Sequence, residues 1–433
     1  MPSHTFNPVQ SSVKAAISDR QLTGRILRTA VNNFVERPWG GTSLREYKGL
    51  CSLPQQVEFT GSGIGESFEI AAFDADAEAA LYPSQVEVAA GDWRALPPLI
   101  REHADVLLGQ EWVDRYGDAI PLLPKFLNVR ELLSVQGHPP GHTEAYIVVS
   151  AEPGATIRLG YRRDIDARHM AEELAAGRAA QLELMALLGD GTNWFAVQRL
   201  LSAWFARHSG NAHSVAEELV QLSTNPASKP DTGRIRSLLG SLEQTYWVAL
   251  DAMNEVELEP GQVIHNCNPQ RIFDAGGHTP AAEVHALGNP EGREFVMLEV
   301  RRPGPTLRTW DNVRFPMRDV DTEAALKVLN LSATRPEEFI CSRQALDAPG
   351  HWLSVDSPYF RIEHLDLDAA SAFTHSGRKA HCLHVLAGAA TFECAGGAVA
   401  VSAGGSAFVP YALDAYQCVA GTAGAQVVRV LLP

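Results

Sequence analysis

The sequence predicts a mainly β protein with a helical insertion and a second, smaller β unit behind it, and three observations carry that expectation. Before residue 160 and again after 256, short apolar segments are cut by Gly and Pro at strand-like spacing. Between them the apolar residues recur at helical spacing. From about 334 onward, strands and Gly turns alternate almost without helix.

Residues 1–25 read as weakly structured, apart from a short helix at 11–17. From 26 to 160 the text reads as short strands, for example 67–71 and 145–149, the pattern of a sandwich or barrel. Helical periodicity covers 167–188, 194–208, 214–222 and 233–253, with Asp190-Gly191-Thr192-Asn193 and Asn225-Pro226-Ala227-Ser228-Lys229-Pro230 as breaks. Strand pattern resumes at 256–261 and 294–300. The first β domain is therefore expected to be discontinuous, 26–163 plus 256–330, around a helical insertion at 164–255, with a C-terminal β domain at 331–433. In that last domain strands are expected at 360–365, 381–386, 389–393, 398–401, 406–409 and 426–432, with Gly388, Gly396-Gly397 and Gly404-Gly405 as hairpin corners.

Composition narrows the function. A net charge of −15 over 433 residues argues against nucleic-acid or anionic-membrane partners, which need clustered Lys and Arg. No stretch approaches the roughly 20 continuous apolar residues of a membrane helix, and the N-terminus lacks a signal pattern, so a cytoplasmic location is expected. The 6 cysteines are scattered without a C-x-x-C pair, suggesting neither a disulfide framework nor a thiolate zinc site.

The chemistry concentrates in Ser134-Val135-Gln136-Gly137-His138-Pro139, with Glu144 following in Gly141-His142-Thr143-Glu144. An amide, an imidazole and a carboxylate at that spacing, in alternating apolar and polar text, can converge as metal ligands on one side of a sheet. His285, beyond the helical stretch, is the candidate fourth ligand. His381 and His384 look metal-like, but residues three apart on a strand face opposite sides, so the C-terminal domain is expected to lack a metal.

These residues carry a resemblance. The run from Leu123-Pro124-Lys125-Phe126-Leu127 to Leu133-Ser134-Val135-Gln136-Gly137-His138-Pro139 resembles the type I mannose-6-phosphate isomerases, in which K-[FV]-L leads into L-S-[VI]-Q-V-H-P. In the same order, Arg37-Pro38-Trp39-Gly40-Gly41 resembles the family's W-G-G, Gly65-Glu66-Ser67-Phe68-Glu69 its G-E-[SL]-W-E, and Gly141-His142-Thr143-Glu144 its G-K-T-E. Downstream, Pro280-Ala281-Ala282-Glu283-Val284-His285-Ala286-Leu287-Gly288-Asn289 is similar to the second cupin motif, and Met297-Leu298-Glu299-Val300 with Thr306-Leu307-Arg308-Thr309-Trp310-Asp311 to the segment that ends in T-x-R-x-x-D.

The resemblance implies a cupin β-jelly-roll catalytic domain, an inserted helical domain and a second cupin-like jelly roll. It implies one zinc ion per chain on Gln136, His138, Glu144 and His285, an open site of net positive charge. The implied activity is interconversion of mannose 6-phosphate and fructose 6-phosphate through an enediolate. Glu299 is then the candidate base, Arg308 the active-site arginine, and Ser134, Lys125 and Arg314 the candidates for the phosphate. The implied partner is a small phosphosugar, and the chain is expected to be a monomer or weak homodimer. Glu66 and Glu69 either address substrate or simply end a strand.

The chain also departs from the family. His142 replaces the lysine of G-K-T-E and enters the candidate catalytic set on its ability to take a proton near neutral pH. Gly137 replaces a valine, and Pro303-Gly304-Pro305 stands where the family has Ser-Asp before the T-x-R segment. The alternatives are another metal-dependent sugar isomerase, an oxygen-using cupin holding iron, or a non-catalytic sugar-binding protein.

Overall fold

The computed structural model describes residues 17–50, 63–72, 83–139, 141–206, 211–225, 229–267, 283–312, 314 and 317–432. The expected helix at 11–17 lies, but for its last residue, outside the described residues, and so does the start of the His285 motif at 280–282. The architecture is mainly β, and every strand ladder in it is antiparallel. One sheet of six strands runs Val263–His265, Glu144–Ala151, Phe295–Arg301, Leu123–Val129, Gly63–Phe68, Phe34–Arg37. A sheet of five runs Met253–Glu257, Thr156–Tyr161, His285–Ala286, Val135–Gly137, Leu307–Trp310.

Packing explains why the central strands are apolar over most of their length. Every residue of Leu123–Val129 and of Phe295–Arg301 is buried, because both faces of this sheet are covered. The outer face (Phe126, Ile147, Val296, Leu298) shares a core with Ile362, Phe408, Val428 and Val430 of the C-terminal sheet. The inner face begins apolar with Leu127, Tyr146, Val148 and Met297, which pack against Ile157, Leu159 and Leu287 of the five-stranded sheet. One turn of pleat further along, that face becomes charged, at Glu144, Glu299, Arg301 and Lys125.

The helical excursion starts and ends on one sheet. Tyr161 and Met253 are register partners, so the chain leaves one strand, forms Ala167–Leu188, Trp194–Phe205, Ala212–Leu222 and Thr232–Asp251, and returns beside its point of departure. Asp166, Asn193, Asn211 and Asp231 cap the four helices, each side chain accepting first-turn N–H groups. Their apolar faces pack on Val135, Tyr161, Ala286 and Trp310, the outer face of the five-stranded sheet. Among the described residues, no helix is long and apolar enough to cross a membrane.

Two expectations need correction. The text before 160 was expected to be strands, yet Leu96–Glu102, Ala104–Leu107 and Gln110–Tyr116 are helices. Pro97 and Pro98 cannot donate to a ladder but fit a helix's first turn, and Leu96, Leu99 and Ile100 then share one buried face. In the C-terminal sheet Gly388 is not a corner: His381–Cys394 is one strand, with register shifts on either side of that glycine. Gly388 has φ +68°, and a Cβ there would lie 2.1 Å from the Gly424 carbonyl oxygen, so the position bends a long strand as a bulge. The other two corners fall between paired strands, Gly396-Gly397 between His381–Cys394 and Gly397–Ser402, and Gly404-Gly405 before Ser406–Val409. Leu27–Arg28, near the N-terminus, adds an edge strand to this same sheet by pairing with Ser406–Val409.

Candidate metal centre

Register alone gathers the motif residues. Gln136 lies opposite His285 on one side and opposite Arg308 on the other, so all three side chains share the inner face of the five-stranded sheet. On the facing sheet, Glu144 lies opposite Arg301, and Glu299 lies between Tyr146 and Lys125. His138 Nε2 comes within 2.7 Å of Glu144 Oε1, and His285 Nε2 within 3.5 Å of Glu144 Oε2. Gln136 Nε2 is 3.3 Å from His285 Nε2. All of these side chains are buried except Gln136 and Arg308, which are half-buried.

Proton placement follows from the outer partners. His138 Nδ1 faces the Pro305 carbonyl at 3.1 Å and so carries the hydrogen, leaving a lone pair on Nε2. His285 Nδ1 lies 3.3 Å from the Glu283 carbonyl and 2.8 Å from the Asn266 amide. A half-turn of that amide would offer His285 its Oδ1, which otherwise has no partner, and again Nε2 keeps its lone pair. Gln136 is likewise reversible: its Oε1 accepts from Ser134 Oγ at 2.7 Å, and after a half-turn its nitrogen would donate to that hydroxyl while the oxygen faces the cluster. The result is two imidazole lone pairs against a carboxylate, with His138 Nε2 buried and lacking any hydrogen-bond partner.

A cation fits that vacancy of hydrogen. Ligands at about 2.1 Å around a tetrahedral ion stand about 3.4 Å from one another, close to two of the three separations here. Among the described residues, His138, Glu144 and His285 are the carboxylate and imidazole group close enough to hold one ion, each offering an atom within 4.8 Å of the others. His381 and His384 do point to opposite sides of their strand, to Tyr416 at 2.9 Å and to Ser406 at 2.8 Å respectively.

Beside the cluster runs a chain of alternating charge: Arg37, Glu66, Lys125, Glu299, Arg301, Glu144. Successive contacts measure 2.5, 2.9, 3.6, 3.9 and 3.6 Å. Burial would raise the Glu66 pKa, but Lys125 and Arg37 bring it down to about 2. Burial dominates at Glu299, which lies at about 7 although Lys125 and Arg301 oppose the rise. At Glu144 burial is outweighed by His138, His285 and Arg301, which hold the carboxyl well below its usual range.

The remaining candidates fall into two places. Ser134 and Lys125 sit with the ligand cluster, the first on Gln136 and the second between Glu66 and Glu299. Arg314 lies deeper, donating to the Leu132 carbonyl at 2.9 Å, and lines a cavity of about 340 Å³ with Arg178, Gln181, Thr309 and Asp321. Burial and the neighbouring Arg318 lower its pKa to about 10. Arg308, half-buried, projects beside Gln136. Glu69 serves elsewhere, pairing with Lys48 and accepting from Ser406 between the two β units.

His142 explains its own departure. A Cβ on Gly304 would lie 2.2 Å from His142 Nδ1, so the imidazole fits only against a residue without a side chain. The next residue, Pro305, supplies the carbonyl that orients His138. Pro303-Gly304-Pro305 and His142 thus form one packed unit, in which burial and Arg302 lower the imidazole's pKa. Sequence reasoning missed Arg301, Tyr146 and Asn266. The first two stand two residues from Glu299 and Glu144 on the same strand faces, a signal open to reading; Asn266 carries none.

No family-wide sequence model matches the chain. The Bacillus subtilis (strain 168) protein YvyI, whose name assigns it provisionally to the mannose-6-phosphate isomerases, is 28% identical over 200 residues, 45% of this chain and 56% of that protein. The mannose-6-phosphate isomerase of Ogataea parapolymorpha is 40% identical over 60 residues, 13% of this chain and 14% of that protein. The chain thus matches about half the length, or less, of these relatives. Among solved structures, the mannose 6-phosphate isomerase of Bacillus subtilis shares the fold at a TM-score of 0.60 and 16% identity, over 94% of this chain and 99% of that one. A mannose 6-phosphate isomerase bound with zinc and yttrium does so at 0.57 and 17%, over 95% and 99%. The chain is thus similar in sequence over 45% of its length to a protein named for mannose-6-phosphate isomerase, and over 94% of its length it shares the fold of solved mannose 6-phosphate isomerases.

Proposed function

We propose that this chain is a zinc-dependent aldose–ketose isomerase that interconverts mannose 6-phosphate and fructose 6-phosphate, with its site in the first of two cupin-type jelly rolls. One zinc ion would be held by Gln136, His138, Glu144 and His285. The observation that carries this reading is the convergence of two imidazole Nε2 atoms on one buried carboxylate, 2.7 and 3.5 Å away. The bound ion would supply the positive charge that an enediolate oxygen needs.

The chain's own residues do the rest. Isomerisation moves one proton from C2 to C1 and another between the attached oxygens. Glu299 is the base: a buried carboxyl with a pKa of about 7 is ionised often enough at neutral pH to take the carbon-bound proton and is acidic enough to return it. Lys125, 3.6 Å away, holds its orientation and balances its charge. Arg308 faces the same space from the opposite sheet and offers a permanent cation to the developing oxygen charge. For the phosphate the candidate is Arg314, which lines a cavity with Arg178 and Gln181, while Ser134 orients Gln136 instead.

The test is turnover. Purified protein supplied with zinc should convert mannose 6-phosphate to fructose 6-phosphate; zinc-loaded protein that leaves it unchanged would refute the isomerase reading and leave a sugar-binding role.

A further inference from the structure

The charge chain beside the cluster contains a cation, Arg301, that touches both a proposed ligand and the proposed base and has no part in the reaction above. Arg301 ends the strand Phe295–Arg301, whose other charged residue is Glu299, and its side chain is 10% exposed. It lies opposite Glu144 in register, with Nη1 3.6 Å from Glu144 Oε1 and Nε 3.9 Å from Glu299 Oε1. Its field reaches His285 as well as Glu144. A guanidinium does not give up its proton in a protein, so this charge is permanent.

We propose that Arg301 is a resident cation that loosens the chain's hold on a divalent metal at His138, Glu144 and His285 and leaves more of the metal's charge free for an anionic substrate oxygen. The inference rests on the metal-dependent reading above. Three carboxylates (Glu66, Glu144, Glu299) stand against three cations (Arg37, Lys125, Arg301) in the chain of contacts. They cancel, and a divalent ion enters with its charge uncompensated. Without Arg301 the carboxylates outnumber the cations, and the ion would be partly neutralised by the protein before any substrate arrives.

Repulsion outweighs scaffolding at this position. At 3.6 Å the contact with Glu144 is an ion pair beyond hydrogen-bonding length. Glu144 is held by another group, Tyr146, whose OH donates to Oε2. Removing the guanidinium therefore removes a like charge from beside the metal and leaves the ligand in place.

The experiment compares Arg301→Met and Arg301→Lys with the wild type by chelator competition, with zinc as the probe, and by steady-state kinetics on mannose 6-phosphate. Arg301→Met should bind zinc about tenfold or more tightly and show a raised KM for the phosphosugar, while Arg301→Lys keeps wild-type zinc affinity. Should the methionine variant fail to fold, Arg301→Gln is read in its place. Unchanged or weaker zinc binding in the neutral variant, with wild-type protein binding zinc normally, overturns the inference alone. Zinc binding absent from every variant and from the wild type overturns the metal reading beneath it.

Discussion

Lys125 and Glu299 stand opposite each other on adjacent strands of the six-stranded sheet, Nζ to Oε1 3.6 Å, on the face that carries Glu144. A buried base whose nearest cation is fixed by sheet register has its working pH set by that pairing. Glu299 must be ionised to accept a proton, so kcat/KM should rise as pH climbs through about 7 and fall below it. Glu299→Gln should lower kcat by about 10²- to 10⁴-fold with zinc content unchanged. Lys125→Met removes the largest opposing charge and should move the acid limb to higher pH. A pH profile of that variant superimposable on the wild type would count against Glu299 as the base.

Glu66, whose pKa is shifted the opposite way, makes stability pH-dependent. Its folded pKa of about 2 lies below its ordinary value of 4.5, so its contribution is fully present above about 4.5 and is lost as pH falls through that window toward 2. Urea titrations at pH 7 and pH 3.5 should show a loss that Glu66→Gln, already weakened at pH 7 by on the order of 2 kcal/mol, shows less of.

Phe126 links the two β units from the outer face of the same sheet. It is fully buried, meets the Tyr47 ring edge-on at 5.4 Å, and lies under the Lys48 ammonium at 4.6 Å. Phe126→Ala should cost about 3–5 kcal/mol, read as a lower midpoint in denaturant at unchanged slope.

Gly388 tests the bulge that replaced an expected corner. Any side chain there meets positive φ and the Gly424 carbonyl together. Gly388→Ala should destabilise by about 1–3 kcal/mol, seen as a lower Tm, while zinc content stays at the wild-type level.

What the sequence made legible follows from where its periodicity was intact. The four inserted helices begin and end within a few residues of expectation, because each is long enough to repeat its apolar face and has an Asp or Asn cap. The helices at 96–116 were missed because four to seven residues complete barely two turns. Gly388 misled because a glycine in a strand marks either a turn or a bulge, and only the partner at Gly424 decides. At the site, the residues of the motif could be named, but not their partners. Ser134 and Lys125 look like free polar groups in one dimension; in the sheet, Gln136 and the carboxylates Glu66 and Glu299 take them up. Arg301 was missed because only register shows that it lies opposite Glu144.

The measurement closest to the central claim is the zinc content of the purified protein beside that of His285→Ala, after zinc loading and dialysis, with circular dichroism to confirm the fold. About one zinc per chain in the wild type and close to none in His285→Ala is the predicted result. Equal zinc in the two proteins, or none in the wild type, would contradict the site built from Gln136, His138, Glu144 and His285.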